Sequence, residues 1–226
     1  MSLLVHRIPR VLYAVALLLC LTCLCSGGGC AARDRIRLNE TENTWHCDKE
    51  ADDAMKRREY RKAISLHQRL LEKEPANGLA FYHLGYAYGQ TGDHLKEVWC
   101  YEKALNLGFR KGHIFLNLGM AYGELNQLEN SIGAFDKALE INPESSDAHF
   151  GLALAYYRGL AETRAEEGFL TALEIDPGHF DARLYLSLLY TDRGELQKAC
   201  EQLRRILEID PTHRGAREFL ERIERE

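Results

Sequence analysis

The chain has 226 residues, of which 28% are charged and 46% are hydrophobic, and its formal net charge is −5 at pH 7. This mild acidity, without a basic stripe, argues against nucleic acid as a partner. The seven cysteines are odd in number and scattered, which excludes a conventional disulfide framework. The sequence has no C-x2-C pair with a second ligand pair, so the spacing predicts no zinc site.

Residues 1–30 have the composition of a secretory signal peptide or a membrane anchor. His6, Arg7 and Arg10 precede an apolar run over residues 11–25, and small residues follow that run. A positive end, a short apolar run and a small-residue boundary are typical of a secretory signal. A membrane span needs about 20 apolar residues, so the run is short for one. An uncleaved anchor remains the alternative.

Cys30 follows Gly29 and resembles the lipidated cysteine of bacterial lipoproteins, although Gly27 stands where that motif prefers an aliphatic residue. Lipidation at Cys30, simple cleavage nearby and a retained anchor all stay open. Residues 31–43 are polar and charged and are expected to form a tether. The expected location is the cell envelope, facing the periplasm and tethered to the membrane through the amino terminus.

From residue 44 onward the chain repeats with a period of 34 residues. The period is marked by four tyrosines and three prolines, which are Tyr88, Tyr122, Tyr156, Tyr190, Pro143, Pro177 and Pro211. A strict period of this length is typical of stacked helix pairs. The sequence therefore predicts an all-α solenoid.

The residues around the period carry a motif. F-x2-L-G-x2-Y stands at Phe81–Tyr88 and returns letter for letter at Phe115–Tyr122, and two later copies keep most of it. In spacing and residue type, residues 44–226 resemble the tetratricopeptide repeat (TPR) family. The resemblance implies about five helix pairs and a C-terminal capping helix, with boundaries at 44–77, 78–111, 112–145, 146–179, 180–213 and 214–226.

Several residues depart from the family pattern. The leading helix of the first repeat, at about residues 46–57, lacks the usual large residues. Glu97 stands where alanine or serine is usual, and we expect either a shifted helix or a buried partner such as a nearby histidine. Phe109 replaces a proline. Gly89 and Gly123 lie mid-helix, where they either admit a ligand backbone or loosen the helix end.

The resemblance also implies that the first helix of each pair lines a concave face. Apolar and aromatic residues dominate the positions that point inward, and such patches usually mark interaction sites. The alternative for the leucines is packing between neighbouring helices. The predicted partner-binding residues are Tyr82, His83, Tyr86, Leu116, Asn117, Met120, Phe150, Leu154, Tyr157 and Tyr185.

Co-chaperone TPR domains grip a peptide carboxylate with lysine, asparagine and arginine. Asn117 fits one position of that clamp, but Tyr82, Tyr86, Asp147 and Gly151 occupy the others. A carboxylate clamp is therefore not expected.

The sequence contains no catalytic motif, so we expect no enzyme and no cofactor. The predicted function is a non-catalytic scaffold or assembly factor that binds a peptide or helix in the concave apolar groove. The alternatives are a membrane-anchored, cytosol-facing adaptor of co-chaperone type and an accessory domain of an enzyme complex.

Overall fold

The computed structural model describes residues 45–110 and 113–225. Within these ranges the chain forms eleven α-helices and no strand. The helices are α1 Lys49–Lys56, α2 Tyr60–Lys73, α3 Gly78–Gln90, α4 His94–Asn106, α5 Ile114–Glu124, α6 Leu128–Ile141, α7 Ser146–Arg158, α8 Glu162–Ile175, α9 Phe180–Asp192, α10 Leu196–Ile209 and α11 Arg214–Ile223.

Each helix packs against its neighbours in the chain, and the first helices of successive pairs also touch, as α5 does with α7. This confirms the predicted all-α solenoid of five helix pairs with a C-terminal capping helix. The capping helix α11 buries Ala216 and Ile223, while Phe219 and Leu220 pack against the same core from its edge.

The turn inside every helix pair contains one residue in the left-handed backbone region. The positions are Arg58, Gly92, Asn126, Leu160 and Gly194, one period apart, with φ between 55° and 80°. At Gly92 and Gly194 this conformation brings no strain, because glycine adopts it freely. The other three residues adopt it because the period imposes the same helix ending on every pair.

Four of the five turns between pairs start the next helix with a side-chain cap, the exception being His113 before α5. Asn77, Ser145, His179 and His213 each accept the backbone N–H three residues later. Such a cap satisfies one of the amides that a helix start leaves free. His179 and His213, which lie one period apart, therefore have a common local role through Nδ1.

Small residues let the paired helices approach closely, as the motif predicts. A β-carbon at Gly85 would lie 2.8 Å from the Tyr101 ring, and one at Gly119 would lie 2.8 Å from the Phe135 ring. The first pair is different, because its core consists mainly of alanines, among them Ala51 and Ala54 of α1. The predicted weakness of this leading helix thus appears as a helix of only 8 residues.

No helix among the described residues is both long and apolar enough to cross a membrane. The predicted signal segment, Cys30 and the polar tether lie outside the described residues.

Candidate functional site

The most exposed apolar side chains of the predicted groove lie at one repeated position of the first helices. Tyr86 is 39% exposed and Met120 is 50% exposed. Leu154 and Leu188, at the same position of the next two repeats, are half-buried. The side chains at this repeated position are therefore most exposed to water in the second and third repeats.

A small cleft of about 40 Å³ lies between α5, α6 and α7, next to Met120. Phe150 and Leu154 of α7 line it from one side, and Phe135 of α6 lies at its base. The Phe135 ring occupies the space beside both Gly119 and Gly151, where a β-carbon would collide with it. The two glycines thus let the ring lie between two first helices.

Arg158 supplies the positive charge at the edge of this cleft. Its Nη1 donates to the Gly123 carbonyl at 2.8 Å, and its Nη2 lies 3.7 Å from Glu124 Oε1. The side chain therefore ties the end of α7 to the end of α5. The cleft has an apolar floor and one charged pair at its rim.

Tyr82, Leu116 and Asn117 are half-buried rather than open. Tyr82 stacks on Phe109, with the ring centroids 5.1 Å apart, and Asn117 Nδ2 donates to its hydroxyl at 3.4 Å. Burial raises the pKa of Tyr82. Phe109, which replaces the usual proline, is 5% exposed and therefore serves as core.

Phe150, Tyr157 and Tyr185 join the fourth and fifth repeats. Phe150 is 8% exposed, and its ring centroid lies 5.7 Å from that of Tyr185. The Tyr157 hydroxyl donates to Asp192 at 2.5 Å, and burial together with that carboxylate raises its pKa to about 12. Of the predicted binding residues, these three are thus engaged in contacts between repeats.

His83 makes polar contacts at the amino-terminal end of the array. It contacts the Cys47 thiol at 3.1 Å and lies 3.4 Å from Asp52. Sequence reasoning missed this cluster, because its members come from three separate elements and share no motif spacing. It also missed Trp45, which packs on Phe109 with ring centroids 5.7 Å apart.

Family models agree with the fold. A tetratricopeptide repeat model matches residues 49–105 and 163–214, and a TPR repeat model matches residues 119–158. The chain belongs to the tetratricopeptide repeat family. This membership indicates a protein–protein interaction scaffold. The chain matches no curated protein sequence.

Solved TPR structures resemble this one over most of its length. YrrB, a TPR protein with an unusual peptide-binding site, is 26% identical, with a TM-score of 0.61 over 74% of this chain and 86% of YrrB. MamA from Desulfovibrio magneticus RS-1 is 17% identical, with a TM-score of 0.67 over 73% of this chain and 93% of MamA. TTC0263, a thermophilic TPR protein of Thermus thermophilus, is 21% identical, with a TM-score of 0.63 over 77% of this chain and 95% of TTC0263. At these identities, the likeness to MamA and TTC0263 shows a shared fold and nothing more.

Proposed function

We propose that this TPR protein is a non-catalytic scaffold that binds an apolar peptide segment or helix along Tyr86, Met120 and Leu154. The observation that carries the proposal is the cleft between α5, α6 and α7. It presents an apolar floor next to Met120, a large apolar side chain that is half exposed to water. An apolar side chain of a partner inserted there would remove this surface from water.

The rim of the cleft suits a peptide backbone. Arg158 has five N–H donors, so it can bind a peptide carbonyl while it keeps its contact with the Gly123 carbonyl. YrrB, which is 26% identical and has a peptide-binding site, supports a peptide as the class of ligand. Because the floor is apolar, we expect binding to depend only weakly on salt.

The experiment selects peptides from a random displayed library on the full chain and measures their affinity for three variants. Met120→Ala and Tyr86→Ala should weaken binding at least about tenfold, because they truncate exposed contact residues. Trp99→Ala is the matched control, since Trp99 is also 50% exposed but lies on a second helix, edge-on to Phe81. Thermal melting should change little in all three variants.

Two results would contradict the proposal that the peptide binds in this groove. One is affinity that survives Met120→Ala and Tyr86→Ala, and the other is affinity that is lost only in Trp99→Ala. Phe150→Ala is unsuitable as the first test, because Phe150 belongs to the core and its loss would lower stability as well.

We also propose that the scaffold is tethered in the cell envelope through its first 30 residues. The support is the sequence alone, with a basic start, an apolar run and Cys30 after small residues. The intact mass of the mature protein separates lipidation, cleavage and retention. If Cys30 is lipidated, Cys30→Ser should release the protein from bacterial membranes. A mutant that stays in the membrane with its apolar run attached would favour the anchored alternative.

A further inference from the structure

Three potential metal ligands converge at the amino-terminal end of the repeat array. They are Cys47 Sγ, Asp52 Oδ1 and His83 Nδ1, and all three atoms lie within 4.8 Å of one another. The thiol and the imidazole nitrogen are 3.1 Å apart, and the imidazole nitrogen and the carboxylate oxygen are 3.4 Å apart. Cys47 precedes α1, Asp52 lies in α1 and His83 lies in α3.

A fourth potential ligand lies buried beside this cluster. His67 of α2 is 0% exposed, and neither of its ring nitrogens has a hydrogen-bond partner in the described part of the chain. Its ring stands edge-on to that of His83, with centroids 5.4 Å apart. Asp52 Oδ1 is likewise buried, and it forms no hydrogen bond of good geometry among the described residues, although His83 Nδ1 lies 3.4 Å away. Buried polar atoms usually have partners, so several such atoms together point to a ligand.

The geometry does not fit a nucleophilic cysteine. In a catalytic relay, the imidazole would contact the nucleophile through one nitrogen and the carboxylate through the other. Here the same atom, His83 Nδ1, faces both Cys47 and Asp52.

We propose that Cys47, Asp52 and His83 bind a Zn²⁺ ion, and that the ring of His67, whose nitrogens lie outside the 4.8 Å cluster, turns toward the ion to supply the fourth ligand. Tetrahedral zinc has bonds of about 2.3 Å to sulfur and 2.0–2.2 Å to nitrogen and oxygen, which place neighbouring ligand atoms about 3.4–3.6 Å apart. The observed separations of 3.1 and 3.4 Å are close to these values.

With four protein ligands the site is structural, and its position suggests what it stabilises. The ligands join the segment before α1, the short helix α1, and the helices α2 and α3. The first pair has a core made mainly of alanines, which buries little apolar surface. A zinc ion would supply the cross-link that this end of the array lacks, because metal binding stabilises the folded state that forms the site.

The test uses the full chain, reduced and stripped of metal with a chelator. Zn²⁺ should bind with a stoichiometry of one per chain and raise the melting temperature. Co²⁺ should give the charge-transfer absorption of a cobalt–thiolate bond. Cys47→Ser, Asp52→Asn, His67→Asn and His83→Asn should each weaken Zn²⁺ binding at least about tenfold. Cys200→Ser is the matched control, since it removes a buried thiol in α10 and should leave Zn²⁺ binding unchanged.

Circular dichroism of the metal-free variants separates lost ligands from lost folding. The near-isosteric Asp52→Asn variant should keep its helix content while it loses affinity. Absence of Zn²⁺ binding to the wild type would overturn the proposal. So would a cobalt–thiolate absorption that persists in Cys47→Ser, because another cysteine would then be the ligand. Unchanged affinity in His67→Asn would overturn the assignment of that residue.

Discussion

The Glu97 carboxylate occupies the space that a side chain at Gly89 would need. A β-carbon at Gly89 would lie 2.6 Å from Glu97 Cδ. Glu97 is 8% exposed, and its carboxylate is hydrogen-bonded to His94 Nδ1 at 2.9 Å. Of the two expectations for Glu97, the structure thus shows the histidine partner, although His94 is half-buried rather than buried. The glycine at position 89 leaves room for this carboxylate. Neither a ligand backbone nor a loosened helix end is needed to explain why a glycine stands there.

This relationship predicts that Gly89 and Glu97 are coupled. Alanine is normally favoured over glycine in a helix by about 1 kcal/mol. Gly89→Ala should nevertheless destabilise the wild type, because the new methyl group displaces a buried carboxylate. In a Glu97→Ala background the same change should stabilise. Urea unfolding of the four proteins gives the coupling energy, which should be about 1–2 kcal/mol. Additive effects would show that the carboxylate moves aside freely.

The stability of the protein should depend on the protonation of Glu97. Burial raises the pKa of this carboxyl above its ordinary value of 4.5, and the hydrogen bond to His94 offsets part of that rise. Between 4.5 and the raised pKa, the folded state therefore binds more protons than the unfolded chain. The free energy of unfolding decreases as the pH rises through that window and is greatest below it. Comparing Glu97→Gln with the wild type isolates this contribution, because the amide does not titrate. Parallel pH profiles would exclude Glu97 as the source.

The 34-residue period predicted the helix pairs because each copy has the same local sequence features. These are small residues where the two helices of a pair approach closely and a helix end after them. The period did not predict the cluster of Cys47, Asp52 and His83, because their meeting depends on how three elements pack. The groove was predicted only in part. Met120 is 50% exposed, whereas Leu154 at the same repeat position is half-buried, because the family position fixes the direction of a side chain but not what the next repeat places over it.

Leu160→Gly should stabilise the protein. Leu160 has φ of 59° and is 85% exposed, so it carries backbone strain and little packing. The amides of Leu160 and Ala161 bond back to the Tyr157 and Tyr156 carbonyls, an ending that favours glycine at this position. We expect a gain of about 0.5–1 kcal/mol, since the greater freedom of glycine when unfolded offsets part of the relief.

The reverse change is the control for Leu160→Gly. Gly194 has φ of 73°, and no atom lies within 4 Å of the place that a β-carbon would take there. Gly194→Ala therefore introduces backbone strain without a steric clash. It should lower stability by about 1 kcal/mol, or about 2–4 °C in melting temperature. If Leu160→Gly lowered the melting temperature, the Leu160 side chain would have to contribute contacts that outweigh the strain.

The capping helix α11 should be needed for the stability of the last pair. Ile223 is 6% exposed, so Ile223→Ala should cost about 2–4 kcal/mol. Glu221→Ala, on the exposed side of the same helix, should change stability by less than about 0.5 kcal/mol. Removing all residues after Pro211 should have a larger effect and should speed hydrogen exchange in α10 first. An unchanged melting temperature in the truncated chain would show that the cap is dispensable.

Asn77 should contribute more than an ordinary helix cap. Its Oδ1 accepts the Ala80 amide, and its Nδ2 donates to the His46 carbonyl at 2.9 Å, which holds the segment before α1 against α3. Asn77→Ala removes both functions, whereas Asn77→Ser keeps an oxygen for the cap. Ser145→Ala is the matched control, because Ser145 caps α7 at the equivalent repeat position.

We expect Ser145→Ala to cost about 1 kcal/mol and Asn77→Ala to cost about 2 kcal/mol, since the latter also removes the hydrogen bond to the His46 carbonyl. The loss of stability in Asn77→Ser should lie between the losses in Ser145→Ala and Asn77→Ala. Because the His46 carbonyl adjoins Cys47, the Asn77 variants should also make the Cys47 thiol react faster with a maleimide, while Ser145→Ala should not. Equal losses of stability in Asn77→Ala and Ser145→Ala, with equal thiol reactivity, would show that Asn77 acts only as a helix cap. The segment before α1 would then be held by Trp45 and the Cys47 cluster alone.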